Sequence, residues 1–346
     1  IRVTAARHLS RRVPQRSVGQ CAEQFDRLKQ IGLTASRGSR QTSKGTKGHA
    51  DVAQTFESTN GKFGEHSVYL QAVDLSDPPR VDEVAEPRAA QGMTTRITLT
   101  ARGPVAHLTL ARPRANAIDP EMVTALLGAL RQVEADPEVR GLVLTGAPGM
   151  FCAGLDVVAL YPLDRVDMGS FWSDFNDLML ALLATPLVTV SAISGHSPAG
   201  GCVLALMTDY RLMAEGRYKI GLNEVGVGIA MPRGVIEVFR SVVGHRCAER
   251  MGLTGALIDP AAAQAMGLID EVVPLEALNE RADAVMHAWL STADGPRQAT
   301  KAMFRQGLVE RLRESKAEDE AAFLDVWFGE QAQRTLGALV EKLGGG

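Results

Sequence analysis

From residue 93 onward the chain alternates between two hydrophobic rhythms, one of period two or short unbroken apolar runs, the other of period three to four. Arg96-Ile97-Thr98-Leu99-Thr100 alternates, and Val105-Ala106-His107-Leu108-Thr109-Leu110 reads as a strand that stops at Arg112-Pro113. Asp119-Pro120 then opens a helix with apolar positions at Met122, Leu126, Leu127, Leu130 and Val133. Aspartate accepts from the first unpaired helix amides, and proline gives up an N–H that would have no partner there. Gly141 to Gly146 reads as a buried strand, about Gly169 to Ala184 as a helix, and Leu187 to Ile193 as a strand. A turn to a helix follows at Gly200, then a strand from Asp209 to Met213. From Leu275 the pattern is helical to near the end, and Phe304, Leu308, Phe323, Val326, Trp327 and Leu339 are expected to pack against helices or another subunit. Strand and helix alternate throughout, so the expected class is α/β.

Residues 1–92 break this rhythm. They are rich in Gly, Ser, Thr, Gln and Arg and carry 14 Lys+Arg against 10 Asp+Glu. Such a segment is expected to be a disordered tail or a mis-assigned start, since Met93 is the first methionine. A mitochondrial presequence is the alternative, because residues 1–20 hold five arginines and no acid. The chain overall has a net charge of −3, so the remainder is acidic and no nucleic-acid partner is expected. No apolar run approaches the roughly 18 residues of a membrane span, and a soluble protein is expected. Cys21, Cys152, Cys202 and Cys247 form no C-x-x-C pair and are read as reduced packing thiols. The corresponding compartment is the cytoplasm of a bacterium, or alternatively the mitochondrial matrix.

Several motifs fail on inspection. Gly195-His196-Ser197-Pro198-Ala199 has alanine at the fifth position of a nucleophile elbow, where glycine is needed, and Gly226-Val227-Gly228 is followed by Met231 where a dinucleotide fingerprint has its third glycine. No P-loop occurs. His196 and His245 lack metal-ligand spacing, are read as a loop and a helix-end residue, and no metal is expected. Two glycine turns remain, Phe151-Cys152-Ala153-Gly154-Leu155-Asp156 and Pro198-Ala199-Gly200-Gly201. A turn that opens a helix aims unpaired amides at one spot, which stabilises developing negative charge. Glu224 lies in Ile220-Gly221-Leu222-Asn223-Glu224-Val225-Gly226-Val227-Gly228-Ile229-Ala230, with few groups to pair with. Burial there would lift its pKa toward that of a useful base. An oxyanion site beside a lone general base is the minimum for removing a proton next to a carbonyl.

These residues also carry a resemblance. Ser191-Ala192-Ile193-Ser194-Gly195, Pro198-Ala199-Gly200-Gly201-Cys202, Asp209-Tyr210-Arg211, Ile220-Gly221-Leu222-Asn223-Glu224, Gly244-His245-Arg246 and Thr300-Lys301-Ala302-Met303 resemble the crotonase, or enoyl-CoA hydratase/isomerase, superfamily in order along residues 93–346. Within it they are most similar to the mitochondrial-type Δ3,Δ2-enoyl-CoA isomerase subgroup. The resemblance implies a spiral of β-β-α repeats over residues 93–274 and a helical trimerisation region over 275–346, giving a homotrimer or a dimer of trimers. It implies that Leu155 and Gly200 supply oxyanion amides and that Glu224 is the acid/base. Ala153, Gly154, Leu155, Asp156 and Val157 would line the CoA and acyl channel, Asn223 would touch substrate, and Arg114 would lie near the nucleotide end of CoA. Hydratases of the family use a second glutamate where this chain has Val203, and the dienoyl isomerases use acids at positions matched here by Val203 and Pro232. The implied reaction moves a 3-cis or 3-trans double bond of a fatty enoyl-CoA to 2-trans, with CoA part of the substrate and no separate cofactor. The alternatives are another acyl-CoA enzyme of this fold, such as a hydratase, or a non-catalytic acyl-CoA-binding protein.

Overall fold

A computed structural model describes residues 96–113 and 115–344; the expectations for residues 1–92, Cys21 and Arg114 lie outside them. The strands, in chain order, are β1 (Ile97–Arg102), β2 (Val105–Leu110), β3 (Gly141–Thr145), β4 (Gly149–Met150), β5 (Val188–Ile193), β6 (Gly195–Pro198), β7 (Tyr210–Ala214), β8 (Ile220–Gly221) and β9 (Glu271–Val273). They form a six-stranded sheet, β1-β2-β3-β5-β7-β9, and a three-stranded one, β4-β6-β8. Only β1 and β2 pair antiparallel; the other pairings are parallel.

β3, β5 and β7 of the first sheet are each followed by a short strand of the second and then by a helix or a 3-10 turn. After β3 and β4 come α2 (Val157–Leu160) and α3 (Arg165–Ala184), preceded in the chain by α1 (Pro120–Ala135). After β5 and β6 comes α4 (Gly200–Leu206), and after β7 and β8 a single 3-10 turn, Glu224–Val227. The register stacks these units, with Gly141 opposite Val188 and Val190 opposite Tyr210 in the large sheet, and Met150 opposite His196 and Pro198 opposite Gly221 in the small one. The segments that leave β4, β6 and β8 therefore emerge side by side. That placement brings the two glycine turns and Glu224 together from positions up to seventy residues apart.

The remaining helices are α5 (Arg233–Val243), α6 (His245–Thr254), α7 (Pro260–Ala265), α8 (Leu278–Leu290), α9 (Asp294–Trp327) and α10 (Glu330–Gly344). β3 and β5 are buried along their whole length, as parallel strands between two helical layers must be. Val143, Val188 and Val190 pack under α8 through Ala282, Val285 and Met286. Leu142, Leu144 and Ile193 face the opposite core, shared with Met122 and Leu126 of α1 and Phe175 of α3. Asp119 caps α1 as expected, accepting from the Met122 amide at 2.8 Å. The third helix starts at Arg165 rather than near Gly169, because the Asp164 carboxylate caps the amides of Val166 and Asp167 at 2.8 and 2.9 Å. His196 lies in β6 rather than a loop; its Nδ1 accepts from the Lys219 amide at 3.2 Å, while His245 opens α6. Phe304 is exposed, whereas Phe323 and Trp327 are buried. Among the described residues no helix is long and apolar enough to cross a membrane.

Candidate active site

The Phe151–Asp156 turn is held by an isolated bridge to the chain before α1. The Ile118 amide donates to the Gly154 carbonyl at 2.8 Å, and the Asp156 amide donates to the Ile118 carbonyl at 2.9 Å. In that alternation the Leu155 amide points away from the bridge and has no acceptor among the described residues. On the facing turn the Ala199 amide donates to the Gly221 carbonyl at 2.8 Å, and the Val203 amide donates to the Ala199 carbonyl at 2.9 Å. Gly200, the first residue of α4, keeps its amide unpaired, as helix starts do. Ala199 itself sits at φ 46° and ψ −122°, a conformation that side chains rarely adopt and that costs about 1–3 kcal/mol. The pairing of β6 with β8 and the onset of α4 hold it there.

The two turns touch. A β-carbon on Gly154, whose φ is 89°, would stand 3.0 Å from Ala199 Cβ and 3.1 Å from the Gly200 nitrogen. Glycine at that position lets the Leu155 and Gly200 amides sit on opposed backbone with no side chain between them. Gly201 is packed still more tightly, since a β-carbon there would meet the Cys152 carbonyl oxygen at 2.3 Å.

Both turns border a cleft of about 730 Å³ that also takes in Asn223, Glu224 and Val203. Of the residues assigned to the site from the sequence, Ala153, Leu155, Asp156, Val157, Gly200, Asn223 and Glu224 line it. Gly154 does not: it lies behind the lining as the spacer between the turns. Glu224 begins the 3-10 turn, and its Oε2 is buried with no hydrogen-bond partner. Burial pushes its carboxyl up to about 7, against a smaller opposing pull from a hydrogen bond to its own backbone. Asn223 Oδ1 is likewise buried and unpartnered. Asp156, the other acid of the lining, is engaged: it pairs with Arg112 and caps α2 through the Ala159 amide at 3.1 Å. Arg112 is anchored in turn by Asp119 at 3.0 Å. Among the described residues, Glu224 is thus the one lining carboxylate without a cation. The buried thiols offer no rival nucleophile, since burial pushes Cys152 up to about 12 and Cys202 higher still.

Such a cleft sets two unpaired amides and one desolvated carboxylate around an apolar space, a layout for proton transfer beside a carbonyl. The enoyl-CoA hydratase/isomerase family model matches residues 100–344. The chain belongs to that family. Among its relatives, enoyl-CoA delta isomerase 1 of mouse mitochondria is 37% identical over 252 residues, covering 72% of this chain and 87% of the relative. A probable enoyl-CoA hydratase of Mycobacterium leprae is 28% identical over 239 residues, covering 69% and 92%. The crystal structure of human mitochondrial delta3-delta2-enoyl-CoA isomerase superposes with a TM-score of 0.70 at 35% identity, over 72% of this chain and 98% of that one. The α/β class and the crotonase-like spiral with its C-terminal helices follow from this family fold.

One wall of the cleft escaped the sequence reading. Trp172 and Phe175 of α3 line it together with Phe323 and Trp327 of α9 and Leu339 of α10. Phe323 and Trp327, four apart, share a helix face, which the spacing shows. That this face borders the family's cleft, and not merely another helix, depends on α3 lying some 150 residues earlier in the chain.

Proposed function

We propose that this member of the family is a Δ3,Δ2-enoyl-CoA isomerase acting on fatty enoyl-CoA thioesters. The observation that carries the reading is Glu224: a single buried, unpaired carboxylate beside the facing amides of Leu155 and Gly200, with valine at position 203. In the proposed sequence Glu224 takes a proton from C2 of the 3-enoyl thioester, and the electron pair left behind is delocalised onto the thioester oxygen. The Leu155 and Gly200 amides donate to that oxygen, lowering the cost of the dienolate. Glu224, now protonated, returns the proton to C4, and the double bond stands at C2. One group accepts and gives the same proton, so a second carboxylate has no task in this reaction. A carboxyl with its pKa raised to about 7 suits both halves, being basic enough to abstract and acidic enough to return. CoA belongs to the substrate, and its binding energy fixes C2 and C4 against Glu224.

The relatives named delta isomerases support this reading over the hydratase one, and the mitochondrial names among them support the matrix as the compartment. A homotrimer or a dimer of trimers is the corresponding assembly, measurable as a mass in solution. The deciding experiment gives purified protein 3-enoyl-CoA and 2-trans-enoyl-CoA in parallel. Rapid formation of 2-trans-enoyl-CoA with slow hydration is expected. Hydration as fast as isomerisation would replace this reading with a hydratase, and binding without turnover would replace it with a non-catalytic acyl-CoA-binding protein.

A further inference from the structure

The cleft that takes in Glu224 is also lined by aromatic rings that brace one another. Trp172 lies face to face with Phe323, 3.6 Å between ring centres and 11° between planes. Trp327 follows at 5.8 Å from Phe323, and Phe175 backs Trp172 at 5.5 Å. All four line the cleft yet are almost wholly withdrawn from solvent, Trp327 completely and Phe323 to 5%. Trp172 and Phe323 are each held by a neighbour from their own helix and by one another across the α3–α9 contact. Displacing one therefore means repacking the stack, which close-packed interiors resist. Leu339 and Leu343 of α10 complete this wall, and Leu343, 54% exposed, is where it meets solvent.

We infer that the Trp172–Phe323–Trp327 stack is the end stop of the acyl chain, and that the enoyl thioester substrates are of bounded length. The inference rests on the acyl-CoA reading above and adds a specificity determinant to it. Each methylene that enters the apolar space adds about fourfold to affinity. The gain ends when the terminal carbons reach rings that cannot yield. Phe323 sets the position of the stop because it is the ring shared by both tryptophans. Leu339 narrows the approach from the α10 side.

The test is calorimetric titration of the whole protein with saturated acyl-CoAs from butanoyl to hexadecanoyl, which bind without reacting. For the wild type, affinity should climb about fourfold per methylene and then break sharply. Phe323→Ala should move the break to longer chains and Leu339→Trp to shorter ones, while Phe304→Ala, on an exposed face, should leave it in place. Should Phe323→Ala fail to fold, Phe323→Leu together with Leu339→Trp decides the matter. A wild-type series that climbs without a break, as a chain leaving past Leu343 would give, overturns the inference and leaves the acyl-CoA reading standing. A break that stays at one length in all folded variants does the same. Absence of binding at every length overturns the acyl-CoA reading itself.

Discussion

Gly200 packs closely against Gly154: a β-carbon on Gly200 would stand 3.2 Å from the Gly154 α-carbon and 3.0 Å from Ile118 Cδ1, so both neighbours would have to give by a few tenths of an ångström. In the proposed mechanism both turns give an amide to the thioester oxygen, and a branched side chain on either turn would push the two backbones apart. Gly200→Val is therefore expected to lower kcat by about 10²–10³, the loss of one oxyanion donor. Circular dichroism and thermal melting should still report the folded chain. If the folded variant isomerises at the parent rate, the contact is packing and nothing more.

Glu224 ties activity and stability to pH in opposite directions. In the proposed mechanism its deprotonated form is the base, so kcat/KM should rise about tenfold per pH unit below about 7 and level off above it. Glu224→Gln removes the shuttle and should cost at least about 10²–10⁴ in rate while acyl-CoA affinity persists. For stability, the folded pKa is raised, so the native state holds its proton where the unfolded chain has already lost it. Below the ordinary carboxylate value of 4.5 both states are protonated and there is no penalty. Between there and about 7 stability falls as pH rises, by about 3 kcal/mol in total. The glutamine variant should thus melt higher than the wild type at about pH 8 and alike at about pH 4. Equal melting temperatures at both values would mean that the buried carboxylate is not desolvated.

Asp156 follows the Leu155 amide directly, and its side chain is held from two sides, by Arg112 and by the Ala159 amide. We expect it to position the oxyanion turn rather than to touch substrate. Asp156→Asn keeps an oxygen for the cap but gives up the ion pair; Asp156→Ala gives up both. The expected signature is a fall in kcat with KM little changed, larger for alanine, which also loses about 1 kcal/mol of capping. A rise in KM at constant kcat would place Asp156 in substrate binding instead.

What could be read from the sequence was local or chemically odd. Asp119-Pro120 announces a helix start whatever surrounds it, and Val105 to Leu110 needs no partner to look like a strand. Glu224 stood out because a lone acid in an apolar run has to be explained. The geometry of the turns was less legible. Alanine at position 199 gives no hint of a positive φ, since the conformation is imposed by β6–β8 pairing on one side and α4 on the other. Gly154 looked like a lining residue, but its role is to leave space. The aromatic wall was hidden for a different reason: the spacing of Phe323 and Trp327 shows that they share a face, while what that face meets is decided by how α9 crosses α3.

Val203 gives the sharpest separation between isomerase and hydratase. It lies on α4, buried and apolar, in the same cleft as Glu224, at the position where the family's hydratases carry their second glutamate by the resemblance. Adding water to a 2-enoyl thioester requires a group to orient and deprotonate that water, and Glu224 alone must also manage the proton for C2. Moving a double bond requires only a base within reach of C2 and C4. The wild type should accordingly hydrate 2-trans-enoyl-CoA far more slowly than it isomerises 3-enoyl-CoA. Val203→Glu should raise hydration, and Val203→Gln, similar in shape but unable to take a proton, should not. Burying the new carboxyl costs stability, and two acids in one apolar cleft hold each other's protons more tightly, so the gain should appear mainly at higher pH. Steady-state rates with both substrates across pH, on variants shown to be folded, check this directly. Hydration by the wild type that rivals its isomerisation would show that one carboxylate suffices for both reactions.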